Sequence, residues 1–453
     1  MTTIDINDLF RKGMELHSIT NTAYPLTPTS LREYAVRDER SIQELLEEEY
    51  QNMNCLSLYF HVPFCKSKCR FCEYVVVSGK ESDLKDEYVN ASLKEIDLYS
   101  QIIDKNKRIL GFDIGGGTPT ELGLQRIEKI TNKLFNSFNL NNELTWSIET
   151  TPYNAVNKSD DLKGIYDLGF HRISMGVQTV NTELLKKMER EGGTLLYQRA
   201  VDAIRNAGYK RLNIDLMYGF KEQSVDDFKS TVEYTVSLSP EYITLYEMRY
   251  KLTKIASDAF DVTQSKISTQ YKIAYEILTQ NGYNANYGKN TFSRIKDDHG
   301  TSDYLTNRVI NATPYLGLGA GAQSFGLNYL AYNQGAATKS IAKYIDHVNS
   351  GKFPIQDIYN LPEQEVIAKA VSVMFYFGFI DLVAFRQRFG KELTGKFKDE
   401  IEYLKAKDLI MIENDLFYIT EKGVANLNGV IPMFYSDRSK TELMNMDIEK
   451  LLR

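Results

Sequence analysis

Apolar and polar positions alternate with a period of two in six short segments of this chain, and helical periods fill the stretches between them. Residues 56–61 (Leu-Ser-Leu-Tyr-Phe-His) alternate as a strand, residues 109–114 precede a glycine run, and residues 144–149 alternate again. Residues 172–175, 212–216 and 242–246 complete the series. In one intervening stretch Leu124, Ile127, Ile130, Leu134 and Phe138 share a helical face. Another helical stretch, near 195–207, stops at Gly208, a natural C-cap. Repeated strand–helix alternation predicts an α/β fold, a parallel sheet with helices outside. The pattern does not decide between an open sheet and a barrel, but in both, reactive residues collect at the C-terminal strand ends. Glu149, Asp215 and the segment following His61 occupy such positions.

Outside this series the texture differs. Residues 1–54 read as a mostly polar arm with a proline-punctuated stretch, Tyr24-Pro25-Leu26-Thr27-Pro28, and an acidic helix ending Glu47-Glu48-Glu49. After about residue 340, helical stretches near 363–378 and 396–408 precede residues 409–420, which read as a β-hairpin turning at Asn414-Asp415. Helices followed by a hairpin suggest a small winged-helix-like domain over 341–453. The chain has 453 residues, enough for one large domain and a smaller one. Its net charge of −6 argues against a general nucleic-acid binder and turns the winged-helix reading toward a covering or structural role. No apolar run approaches the ~18–20 residues that span a bilayer. Met1-Thr2-Thr3-Ile4-Asp5 lacks a signal peptide's basic and then apolar layout, so a cytoplasmic location is expected. The 30 Tyr and 22 Phe suit either a cavity for a flat ligand or an ordinary core.

Cysteine changes the picture most. Of four cysteines, Cys65, Cys69 and Cys72 stand in a C-x3-C-x2-C loop directly after a strand. Such clustering points to metal or redox chemistry rather than to disulfides. Soft thiolates select zinc, copper or iron–sulfur clusters. Structural zinc wants four protein ligands, and a zinc reading would have to recruit His61 or Cys55. Three ligands on a four-iron cubane leave one iron open to a small molecule, unlike the four-cysteine ligation of electron carriers.

These residues carry a resemblance. Tyr59-Phe60-His61-Val62-Pro63-Phe64-Cys65 through Phe71-Cys72 is similar to the signature of the oxygen-independent coproporphyrinogen III dehydrogenase (coproporphyrinogen III oxidase-like) family of radical S-adenosylmethionine (SAM) proteins. Four further stretches match in order: Gly115-Gly116-Gly117-Thr118-Pro119-Thr120; Gly176-Val177-Gln178 with Arg190; Asp215-Leu216-Met217-Tyr218-Gly219; and Gly317-Leu318-Gly319-Ala320-Gly321-Ala322. The resemblance spans roughly residues 55–430. It implies a partial (β/α)6 TIM-like barrel over 55–340, a [4Fe–4S] cluster held by Cys65, Cys69 and Cys72, and one or two SAM molecules. It also implies an organic small-molecule substrate and an electron donor such as flavodoxin or ferredoxin.

The resemblance implies that Gly116, Gly117 and Thr118 contact the SAM methionine amine and that Gly319 and Ala320 pack on its adenine. Glu149, Gln178, Arg190 and Asp215 are polar residues in or beside apolar strands, and buried charges are costly unless paired. An internal salt bridge from Arg190 to Glu149 or Asp215 would satisfy them. So would SAM, with Arg190 on its carboxylate and Asp215 and Gln178 on its hydroxyls. Tyr59 and Phe71 read as packing residues, and the resemblance adds both to the cofactor-binding set. His61 reads as a packed core histidine. The implied reaction is reductive cleavage of SAM to a 5′-deoxyadenosyl radical that abstracts hydrogen from the substrate.

Two departures shape the expected chemistry. The family's decarboxylases carry a fourth cysteine two residues after the third, where this chain has Tyr74; and its Gly-Leu-Pro-Gly-Gln is replaced by Gly219-Phe220-Lys221-Glu222-Gln223. Three functions follow: a radical enzyme acting on a tetrapyrrole or similar large substrate, a radical SAM C-methylase or cyclopropane-forming enzyme using two SAM molecules, or a haem chaperone without turnover. The segment Tyr246-Glu247-Met248-Arg249-Tyr250 lies where substrate or a second SAM would sit.

Overall fold

A computed structural model describes residues 4–15, 24–26, 30–79, 82–140 and 143–447. Met1, Thr2 and Thr3 of the N-terminus and Thr27 and Pro28 of the proline-punctuated stretch lie outside these.

All six expected strands form: β1 (Cys55–Val62), β2 (Arg108–Gly116), β3 (Ser147–Thr150), β4 (Arg172–Gln178), β5 (Arg211–Tyr218) and β6 (Tyr242–Glu247). They pair in chain order, every neighbour parallel. Helices α1 (Ser82–Ser100), α2 (Leu124–Ser137), α3 (Ser159–Asp167), α4 (Thr194–Asn206) and α5 (Val225–Ser237) supply the crossovers. The α2 face is buried as its period predicts, with Ile127, Ile130 and Leu134 inaccessible to solvent. Gly208 follows α4 with φ +101°, and its N–H closes on the Arg205 carbonyl at 2.9 Å. The result is the α/β architecture expected, a parallel arc with helices outside.

Neither edge of that arc is bare. After helix α6 (Gln264–Gln280), strand β7 (Thr291–Ser293) adds antiparallel to β6. At the other edge β8 (Tyr315–Leu318) lies parallel to β1. Beyond it β9 (Gln323–Phe325), β10 (Tyr329–Asn333) and β11 (Ile355–Asn360) follow in antiparallel succession, and residues 35–36 of the arm pair with β11. The change of texture read at about residue 340 thus falls between the two strands of one antiparallel pair. Among the described residues no ladder joins the two outer edges, so the sheet is an open arc.

One end of the arc is closed by the segment leading into helix α7 (Asp303–Val309). Ser302 Oγ donates to Asp113 at 2.6 Å, Arg172 donates to the Gly300 carbonyl at 3.0 Å, and Tyr242 donates to Asp298 at 2.9 Å. Gly111 permits this approach, since a Cβ there would stand 2.2 Å from the Tyr304 nitrogen. Arg172 and Tyr242 open their strands, and Gly111 lies in the N-terminal half of β2. The opposite, C-terminal ends remain open, and the candidate residues gather there.

Helix α8 (Glu363–Met374) leads into a three-stranded sheet of β12 (Phe379–Asp381), β13 (Ile410–Glu413) and β14 (Leu416–Ile419). The β13–β14 hairpin turns at Asn414 and Asp415 with φ of +51° and +58°, as that dipeptide predicts. Helices at Leu382–Phe389 and Lys398–Ala406 precede it. No helix of the described residues is long and apolar enough to cross a membrane.

Candidate active site

The cysteine loop leaves β1 at Pro63 and is pinned by backbone bonds. Gly117 N–H donates to Val62 at 2.7 Å, Thr118 N–H to Phe64 at 2.8 Å, and Val77 N–H to Pro63 at 2.7 Å. The first two bonds need a side-chain-free Gly117, whose Cβ would press on the Phe64 carbonyl at 2.8 Å and Cys65 Sγ at 3.0 Å. Cys65 Sγ meets Thr118 Oγ1 at 3.4 Å, and Arg190 donates to Cys69 Sγ at 3.5 Å. Burial, and then the nearby Cys72 and Cys69, push the Cys65 thiol up to about 12. Burial likewise raises Cys72. Cys65 and Cys72, held neutral by burial, become ligands only when a cation stabilises their thiolates.

Cys55 begins β1 and the loop follows its far end, about 23 Å away at the rise of a strand. Among the described residues, no three His, Cys, Asp or Glu side chains converge tightly enough to hold one metal ion, so the zinc tetrahedron finds no assembled donor set. His61 lies against Gly116, where a Cβ would stand 2.6 Å from its ring, and Tyr59 Oη approaches Nδ1 at 3.3 Å. Burial lowers its pKa to about 4, so the ring is neutral, a packed histidine as its setting predicts.

The polar strand-end residues face the same space. Glu149 closes β3 and accepts the Gly116 N–H at 3.2 Å. The residue keeps exposed surface near the C-terminal end of its strand. Desolvation there, then Asp215, push it up to about 8, opposed by the Gly116 N–H. Burial raises Asp215 to about 6, against the Asn213 amide that donates to it at 2.6 Å. Gln178 ends β4 at φ +69°, where the register shifts, and its Oε1 is buried without a protein partner.

Arg190 donates to the Gly176 carbonyl and to Cys69, and its Nε is also buried without a partner. No ion pair joins Arg190 to Glu149 or Asp215 among the described residues, which removes the internal salt bridge as the explanation of these charges. Orphaned polar atoms on Gln178 and Arg190, beside raised carboxyl groups and next to the thiols, are what a polar ligand would complete.

Other candidates are placed differently. Tyr59 stacks on Tyr304 at 5.7 Å and sits beside Glu149, while Phe71 packs edge-on against Phe220 at 5.8 Å. Gly319 and Ala320 are buried, and their N–H groups bond to Glu95 at 2.7 Å and to Tyr88 Oη at 3.0 Å. That loop braces the back of β1, since a Cβ on Gly319 would meet the His61 carbonyl at 2.5 Å. Tyr74, in the position of the absent cysteine, is 52% exposed, and Tyr246, 39% exposed, lines a cavity with Arg249 and Tyr376. Arg308, Lys369 and Tyr376 escaped sequence reading: they lie on α7, on α8 and just beyond α8, far in sequence from every motif.

Comparison with known proteins agrees with this arrangement. Residues 59–235 match the model of the radical SAM superfamily. The oxygen-independent coproporphyrinogen III oxidase of Helicobacter pylori is 25% identical over 443 residues, covering 93% of this chain and 94% of the relative. The heme chaperone HemW of Lactococcus lactis is 26% identical over 407 residues, covering 84% of this chain and 97% of the relative. Among solved structures, coproporphyrinogen III oxidase from Escherichia coli superposes with a TM-score of 0.74 at 24% identity, over 92% of this chain and 96% of that one. That likeness shows the fold.

Proposed function

We propose that the chain is a catalytic member of the radical SAM oxygen-independent coproporphyrinogen III oxidase-like family, acting on a tetrapyrrole or similarly large organic substrate; the match of residues 59–235 to the radical SAM model and the full-length likeness to coproporphyrinogen III oxidases support this reading. Cys65, Cys69 and Cys72 would hold a [4Fe–4S] cluster, and Arg190, Gln178, Asp215 and Glu149 would hold SAM. When bound, the two supply one-electron reductive cleavage of SAM and a 5′-deoxyadenosyl radical that abstracts hydrogen from an unactivated carbon. The observation that carries the reading is the pair of orphaned buried atoms, Arg190 Nε and Gln178 Oε1, beside the cysteine loop.

The chain's own part is binding, orientation and exclusion of water. Arg190 offers its remaining donor to the SAM carboxylate, while Asp215 and Gln178 meet hydroxyls. Glu149 and the glycine run at 115–117 take the cationic end. Tyr59, Phe71 and Phe220 wall the space, which keeps water from a reactive species. Tyr74 supplies no thiol at the fourth position, so the reaction need not be the decarboxylation that names the relatives.

Anaerobic reconstitution with iron, sulfide, dithionite and SAM tests the reading, and the expected product is 5′-deoxyadenosine. Stable haem binding without that product would make the chain a chaperone, and S-adenosylhomocysteine formed alongside it would make it a methylase. Glu149 adds a pH signature. With its pKa raised to about 8, it is mostly protonated at pH 6 and ionised above pH 8. The fixed sulfonium charge of SAM favours the ionised form, so SAM affinity should rise with pH across that window, by about tenfold per pKa unit that SAM restores. Glu149→Gln should flatten the rise in a fluorescence or calorimetric titration, and an unchanged profile would remove Glu149 from the site.

A further inference from the structure

The inner face of the arc is polar where the core of a parallel barrel is ordinarily filled by branched apolar side chains. Leading to Asp215 it carries a continuous hydrogen-bond chain over three strands. Asn213, two residues back on β5 and so on the same face, is buried and donates to Asp215 at 2.6 Å. Its amide nitrogen also reaches Ser174 Oγ, directly opposite on β4, at 3.4 Å. Its carbonyl oxygen accepts from Thr244 Oγ1 at 2.8 Å, and Thr244 lies directly opposite Asp215 on β6. Ser174 in turn accepts from Arg172 at 2.9 Å, and the same guanidinium donates to Ser147 Oγ at 3.0 Å and to the Gly300 carbonyl at 3.0 Å. The chain thus runs from the closed end of the arc to a carboxyl group at its open end.

These bonds fix the Asn213 amide in one orientation. The reverse orientation would set its oxygen against the Asp215 carboxylate, acceptor against acceptor. Among the described residues the Asn213 donor makes the one hydrogen bond to that carboxylate, and it goes to Oδ1. The other oxygen is left for another donor. The charged and titratable groups around Asp215 are Glu149 on β3, Arg172 on β4, Arg190 beyond β4 and Tyr246 on β6, and none of them is bonded to it. A buried polar chain adds little net stability over apolar residues of the same shape. What it confers is a single geometry for the group at its end.

We propose that Asn213, itself held by Thr244, is a positioning residue: it binds one oxygen of Asp215 so that the carboxylate presents the other as the acceptor for a ribose hydroxyl of SAM. Asn213 acts through Asp215 alone. The inference rests on the reading of Asp215 as a ribose contact, and the test separates the two.

The probes are S-adenosylhomocysteine and its 2′,3′-dideoxyribose analogue, titrated calorimetrically into reconstituted full-length protein without reductant. Both carry the same amine and carboxylate, so Glu149 and Arg190 cancel from the ratio of their affinities. At pH 8 Asp215, raised to about 6 by burial, is ionised, and the wild type should prefer the dihydroxy ligand by at least about tenfold. At pH 6 it is half protonated, and the preference should fall about twofold. Asn213→Asp keeps the shape but turns the donor into a second acceptor. Its preference should be lost at pH 8 and recover toward pH 6, where one proton shared by the two carboxyl groups replaces the amide donor. A role in packing alone would not reverse the sign of the pH dependence. Thr244→Val should cut the preference at least about threefold, and Thr244→Ser should restore it. Affinity for the dideoxy analogue should change less than about twofold throughout. Asp215→Asn decides what a failure means. If it loses the preference while Asn213→Asp and Thr244→Val keep it, the positioning role is overturned and the ribose contact stands. If Asp215→Asn keeps the preference, both are overturned. Equal weakening of the two ligands in Asn213→Asp and Thr244→Val would mark a structural role and overturn the proposal as well.

Discussion

Cys65→Ala, reconstituted anaerobically, is expected to lose the visible absorbance of an iron–sulfur cluster and to cut 5′-deoxyadenosine formation to background. The loop offers three thiols, and the remaining cysteine, Cys55, sits at the far end of β1. Removing one thiol leaves two ligands where three must leave a single iron open. The substitution should be mild for the fold. Cys65 is half-buried and its Sγ makes only a 3.4 Å contact with Thr118, while the loop is held by backbone bonds through Val62, Pro63 and Phe64. A variant of wild-type melting temperature without cluster absorbance is therefore the expected result, and Cys69→Ala and Cys72→Ala should behave alike. Cluster absorbance retained in any of the three would overturn the ligand assignment. Cys55→Ala should leave the absorbance unchanged and is the internal control.

The contrast between Cys65 and Cys55 shows what local sequence conveys. Both are cysteines near one strand, and the two-residue period of residues 56–61 alone places them at opposite ends of it. The same logic fixed the six parallel strands, the buried face of α2, the stop at Gly208 and the turn at Asn414 and Asp415. Each is written in spacings shorter than a dozen residues.

What local spacing does not carry is which distant segments meet. Nothing in residues 315–318 announces parallel pairing with β1, and nothing in residues 298–304 announces that they close one end of the arc. Gly319 and Ala320 enter the cofactor-binding set only through the resemblance, and their close approach to Tyr88, Glu95 and the His61 carbonyl was not legible in the sequence. Glu149, Asp215, Gln178 and Arg190 were legible as anomalies, polar groups among apolar strands. Arg308, Lys369 and Tyr376 were not, because charged and aromatic residues on helices read as solvated or packed until the chain folds back over the cavity.

Glu95 is the clearest case of such hidden structure, and Glu95→Ala is expected to be the most destabilising single change described for this chain. Glu95 lies on α1 with no exposed surface and accepts three hydrogen bonds: from Gly319 N–H at 2.7 Å, Tyr344 Oη at 2.6 Å and Asn333 Nδ2 at 2.8 Å. Together they lock the loop after β8, strand β10 and the helix carrying Tyr344 against α1. Alanine would strand three buried donors at about 1–3 kcal/mol each. Tyr344 retains Ser92 at 3.1 Å and Asn333 retains the Gly319 carbonyl at 2.9 Å, which tempers the total to about 3–5 kcal/mol. Against the ordinary stability of a domain, about 5–15 kcal/mol, that is a large fraction. Glu95→Gln should fall between, since its amide keeps an acceptor for Gly319 and Tyr344 but turns a donor toward Asn333. The two variants should also separate by pH. Burial raises the Glu95 carboxyl to about 7, so the folded state favours the protonated form. Wild-type stability should therefore decline relative to Glu95→Gln as pH rises from about 4.5 through 7, the reverse of a salt-bridged carboxylate. Denaturant midpoints followed by circular dichroism at pH 5 and pH 8 measure both effects. A Glu95→Ala protein as stable as wild type, or a wild-type-to-Gln difference independent of pH, would show that the loop carrying Gly319 is held to β1 by something other than this carboxyl group.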